Sequence, residues 1–105
     1  MKTSELTGAA LDWAVAKCEK SERQPIGHPA HFSPSTTWAH GGPIIERERI
    51  NVCGIYNDPT RWGAVQADGR CMRNALGPTA LVAAMRCFVA SRLGDEVEVP
   101  AELKD

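Results

Sequence analysis

The sequence predicts an α+β fold, two main helices packed on a small antiparallel sheet, and three observations lead there. Apolar residues recur at helical spacing near each end of the chain, at 8–20 and 80–93. Between them INVCGIY alternates in the manner of a strand, and NDPT followed by RWGAVQA offers a turn and a returning strand. Glycine and proline concentrate in the middle of the chain, where the helical period is lost. At 105 residues the chain has the length of one compact domain, 1–105, with a single core.

The first helix is expected over GAALDWAVAKCEK, which is rich in Ala and Leu and free of proline. Thr7 stands where a hydroxyl caps the free amides of the first turn. Leu11, Val15 and Cys18 fall at i, i+4 and i+7, and Ala10, Trp13 and Ala14 widen that stripe toward the core. Asp12, Lys17 and Glu19 are left to face water.

From 21 to 34, SERQPIGHPAHFSP has three prolines and no period, so it reads as an irregular loop. Ser35, Thr36 and Thr37 offer capping hydroxyls for one short helical turn from Trp38, expected to stop at Gly41 or Gly42. Pro43 lacks an amide proton, so a helix through 38–46 is expected to break and restart there.

A strand follows over 50–56 with Gly54 as a bulge or bend, then the turn 57–60, then RWGAVQA as its antiparallel partner. DGRCMRNALGP reads as a second loop. ALVAAMRCFVASRL is the clearest helix, with Leu81, Ala84, Met85, Phe88 and Val89 inward and Arg86 and Arg92 outward. Thr79 caps its start, with Gly77 the alternative, and Gly94 ends it. In the tail, Glu96-Val97-Glu98-Val99 suits an edge strand or an extended arm closed by Pro100.

Composition narrows the function classes. Lys and Arg total 12 against 13 Asp and Glu, so no basic field exists for extended nucleic acid, although Arg47, Arg49, Arg61, Arg70 and Arg73 could meet a small anion. No apolar run suits a secretory signal or a membrane span, which points to a cytoplasmic protein with no membrane partner. Cys18, Cys53, Cys71 and Cys87 include no C-x-x-C pair, and His28 and His31 give only half of a zinc pattern with His40 apart. Four separate thiols, no metal and no cofactor are the expectation. Neither a G-x-S-x-G elbow nor a Cys/His signature is present, so an enzyme is the weaker reading.

The stretch WAHGGPIIERE gathers the candidate binding residues. Trp38 is either a core plug or a wall on which a ring stacks, Gly41 and Gly42 let backbone amides approach an anion, and Arg47 adds charge. Glu46 can accept ribose-like hydroxyls, and Ser35 or Thr36 can add hydrogen bonds. Those two glycines otherwise end a helix in left-handed conformation, and Glu46-Arg47-Glu48-Arg49 is otherwise a solvated charged run. Trp13 belongs to the core, and Trp62 favours it too, with a partner anchor as the alternative.

Three stretches, LTGAALDWAVAKCE, SPSTTWAHGGPIIERERI and GPTALVAAMRCFVASRLGDEVEVP, resemble the NinX-like family of small phage and prophage proteins, in the family's order and over nearly the whole chain. The chain departs from that pattern at Ala80, where the family often has Pro, and in its loops at 21–32 and 57–76. The resemblance implies an accessory phage role in a bacterial cytoplasm, with no established reaction or cofactor. Two binding modes follow as expectations. One is a small polar, nucleotide-like ligand, by analogy a sequestered host defence signal, held by an oligomer; the other is docking on a host or phage protein.

Overall fold

The computed structural model describes residues 2–22, 33–55, 58–66, 75–94 and 96–99. The greater part of the loop expected at 21–34 lies outside them, as do His28, His31, Tyr56, Asn57, Arg70, Cys71, Arg73 and Pro100. A short 3-10 turn, Thr3–Glu5, leads into α1 (Gly8–Glu22), α2 (Trp38–Glu48), β1 (Ile50–Ile55), β2 (Asp58–Gln66), β3 (Ala75–Gly77) and α3 (Ala80–Leu93). The fold is α+β, as expected, with a sheet of order β1-β2-β3 and both pairings antiparallel.

α3 is the centre of the molecule. Leu81 to Met85 and Cys87 to Val89 are all buried, an apolar surface nearly all round that only a helix covered on several sides can carry. It packs on all three strands and on α1, and α2 closes the flank beside β1. The Thr79 hydroxyl accepts the Val82 amide at 3.1 Å and Gly94, at φ 84°, ends the helix, so both termini match their sequence signals. Arg86 does not face open water: its Nε donates to the Leu6 carbonyl at 2.8 Å and its Nη1 to that of Leu76 at 2.7 Å. The guanidinium thereby ties the N-terminal segment and β3 to α3.

α1 presents the expected stripe, with Ala10, Leu11, Ala14, Val15 and Cys18 in the core and Trp13 half-buried under the Lys17 ammonium. Thr7 serves through its carbonyl, which accepts the Leu11 amide at 3.2 Å. Asp12 is a correction to the solvent-facing reading, because its carboxylate accepts the Ser35 amide at 2.9 Å and so fixes the chain ahead of α2.

β1 and β2 form the expected hairpin, but β2 already begins at Asp58, inside the turn expected at 57–60, because Asp58 pairs with Ile55; the register slips between Gly54 and Ile55, the bulge that Gly54 signals. Val52, Ala64 and Ala75 share the face toward α3, while Asn51 and Cys53 point to the other. β3 lies inside the segment read as a loop; its three residues pair with Trp62, Gly63 and Ala64. Among the described residues the tail adds no strand to the sheet. Val97 and Val99 are buried and alternate with exposed glutamates, and Glu96 forms an isolated antiparallel bridge with Lys2. Nearby, the Thr3 hydroxyl donates to the Gly94 carbonyl at 2.6 Å, which fastens the start of the chain to the end of α3.

Candidate functional site

α2 runs unbroken from Trp38 to Glu48 through Pro43, so the helix break expected at Gly41-Gly42-Pro43 does not occur. Three local facts account for this. Gly42 precedes the proline and has no Cβ to collide with the pyrrolidine ring, which removes part of the penalty on a helical residue there. The carbonyl that Pro43 leaves unbonded belongs to exposed Ala39, where water can satisfy it. Gly41 is buried, and a methyl group on it would stand 2.5 Å from the Pro34 carbonyl oxygen and 2.6 Å from Leu81 Cδ2. This glycine is therefore the point at which α2 closes on α3, and packing on both sides holds the helix through its proline.

Neither glycine is left-handed. Among the described residues the only non-glycine at positive φ is Arg49, at φ 55°, and it ends the helix in the place expected for Gly41 or Gly42. The hydroxyls expected to cap α2 do other work. Thr37 Oγ1 bonds Ser33 Oγ at 2.8 Å, and Ser35 Oγ is buried with no hydrogen-bond partner. The amides of His40 and Gly41 go to the Thr37 carbonyl, at 3.0 and 2.9 Å. His40 Nδ1 accepts the Ser33 amide at 2.9 Å, so the turn before α2 is held by Asp12 on one side and His40 on the other.

A continuous helix sets the remaining candidates in rows. Trp38, Gly42 and Glu46 fall at i, i+4 and i+8, and Ala39, Pro43 and Arg47 form the row beside them. Trp38 is 58% exposed, which removes the core-plug reading, and its indole lies along the helix with Cε3 about one van der Waals contact from a Cβ placed at Gly42. Ala39, Pro43 and Glu46 are exposed too. The outward surface of α2 is thus an apolar strip of Trp, Ala, Gly and Pro that ends in Glu46 and Arg47. Thr36 is exposed just before it, whereas Gly41 and Ser35 lie beneath, on the core side.

The charged run divides where the helix ends. Glu46 is exposed, whereas Glu48 lies at the core edge: its Oε1 accepts from Arg92 Nη2 at 2.6 Å and its Oε2 from Arg47 Nε at 2.8 Å. Both guanidiniums stand over the Phe88 ring, at 5.7 Å for Arg47 and 5.5 Å for Arg92. Arg92 therefore pairs across the helix interface, against the expectation that it faces solvent. Nothing in the sequence links two residues so far apart; Ala39 and Pro43, by contrast, follow from Trp38 by simple i+4 spacing once the helix is read through.

The other candidates stand on separate elements. Arg61 pairs with Asp58 at 2.7 Å at the start of β2, so Arg47 and Arg61 each have a carboxylate partner and do not pool their charge. Two bonds from Thr60 and this guanidinium hold the Asp58 carboxyl below its ordinary value of 3.8. Trp62, 38% exposed, is less buried than its core reading and sits between Gly54 and Gly77 in register. Cys18 and Cys87 are buried and Cys53 is exposed on β1. Among the described residues no three His, Cys, Asp or Glu side chains come together as a metal site, and no helix is long and apolar enough to cross a membrane.

A family model described as Bacteriophage P22, NinX matches residues 2–92, nearly the whole chain and all of α1, α2, the sheet and most of α3. No curated protein matches the chain.

Proposed function

The chain belongs to the NinX family of phage proteins, and from that premise we propose that it is an accessory protein acting in the host cytoplasm by binding, without catalysis of its own. Its contact surface is the outward face of α2, and its partner is a host or phage protein with an apolar groove. The observation that carries this reading is the exposed Trp38 in line with Ala39, Gly42 and Pro43. A large aromatic side chain on an exposed apolar helix face matches the composition of protein-binding hot spots and the helix-in-groove mode of recognition. Glu46 and Arg47 at the end of the strip supply a polar rim.

The surface of a helix is convex, and small-molecule sites are concave. That favours a protein partner over the nucleotide-like ligand. The test is affinity capture from infected host cells with the wild-type chain and with Trp38→Ala. One stoichiometric protein, retained by the first and lost by the folded variant, is the expected result. Equal recovery by both chains would remove α2 from the interaction.

The ligand reading keeps one support, the exposed indole of Trp38 beside Gly42 on a stretch where Thr36 and Glu46 are exposed too. A planar ring would stack on Trp38, with Arg47 toward an anion and Ser35, Gly41 and Gly42 as backing for the wall; sequestration of a defence signal would follow. The Gly41 amide is already committed to Thr37, so that anion would depend on Arg47. Heating protein purified from infected cells and assaying the supernatant for released nucleotides separates the readings. A stoichiometric release lost in Trp38→Ala would support this one.

A further inference from the structure

We infer that β1 is a homodimerisation edge, with Ile50–Gly54 of one copy pairing antiparallel with the same residues of a second about Val52, so that Asn51 faces Cys53 of the other copy, and joining two three-stranded sheets into one. β1 lies at the end of the strand order and pairs on one side only, with β2. Among the described residues, no other backbone hydrogen bond reaches 51–55, and Asn51, Cys53 and Gly54 are exposed. Such an edge presents a row of unpaired amides and carbonyls.

Sheet edges are ordinarily guarded by charge, by proline, by a bulge or by shortness. Ile-Asn-Val-Cys carries no charge and no proline, and the register slip comes only after Gly54. The opposite edge, β3, is three residues long and so is guarded by its shortness. Among the described residues an unguarded edge thus occurs on β1 and not on β3.

The same features select the occupant. A strand without charge neither repels its own copy nor favours an acidic or basic peptide. Antiparallel pairing of identical edges is isologous and closes on a two-fold axis, so it ends at a dimer. Arg49, exposed and directly ahead of β1, fixes the orientation: antiparallel pairing sets the two Arg49 side chains at opposite ends of the new ladder, and parallel pairing would set them side by side.

The test is sedimentation of the full chain under reducing conditions across a dilution series. A reversible dimer is expected for the wild type and for Cys53→Ser, and a monomer for Asn51→Lys with Cys53→Lys, which places like charges across the axis on an exposed face. Circular dichroism and thermal unfolding report whether the lysine variant is folded; if it is not, Cys53→Lys alone is carried through the same series. A wild type that stays monomeric overturns the inference. So does a dimer that survives in a folded lysine variant, or one lost in Cys53→Ser.

Discussion

Glu48 on α2 and Arg92 on α3 are joined by a 2.6 Å ion pair, with side chains only 8% and 14% exposed. Arg47, 31% exposed, holds the other carboxylate oxygen, so one acid separates two bases beside the Phe88 ring. Glu48→Ala leaves the Arg92 guanidinium at the helix interface without its acid, and a cost of about 3 kcal/mol is expected. Arg47→Ala, more exposed, is expected to cost about 1 kcal/mol or less. Urea unfolding of the two variants checks the order.

Gly41 and Gly42 are expected to respond differently to the same change. Gly41→Ala places a methyl against the Pro34 carbonyl and Leu81, and the overpacking is expected to cost about 1–3 kcal/mol in spite of better helix propensity. For Gly42→Ala the space is open, and the propensity gained is offset by the clash with the Pro43 ring. A net change within about 0.5 kcal/mol is expected there. Thermal unfolding of both variants decides.

Pro43 is exposed inside a helix, where proline is about 3 kcal/mol less favourable than alanine. Pro43→Ala is expected to raise the melting temperature, by part of that amount, since proline also restricts the unfolded chain. If the residue is kept for contact and not for folding, the same variant captures less partner. Calorimetry and capture, run on one preparation, measure both.

How much of this was legible in the sequence depends on where each decision is made. α1, α3 and the hairpin repeat a local signal over many residues, and Thr79, Gly94 and Gly54 act within their own turns. β3 is too short for any period to show, and it exists because Trp62 to Ala64 pair with it. In α2 the local signal pointed the other way: Gly-Gly-Pro reads as a breaker, and only the fit of Gly41 under Leu81 reverses it. The candidate residues came from the right stretch, yet their faces could not be assigned until the helix was known to continue. Glu48 and Arg92, 44 positions apart, had no signal at all.

Asp58 gives a pH-dependent outcome. Its folded value is lowered, first by the Thr60 hydroxyl and then by Arg61, so its small contribution to stability is present above 3.8 and lost as pH falls through the lower folded value. The carboxyl resonance of Asp58 is expected to titrate below 3.8, and Arg61→Ala to move its midpoint upward. An unmoved midpoint would show that Thr60 alone sets it.

The claim that α2 is the binding face is tested most directly by a photo-reactive side chain at Ala39, exposed beside Trp38, with a second at Thr60 on the hairpin as control. In illuminated infected cells the account predicts one discrete adduct from position 39, absent when Trp38→Ala is added, and none from position 60. No adduct from 39, or an adduct from 60 alone, would contradict it.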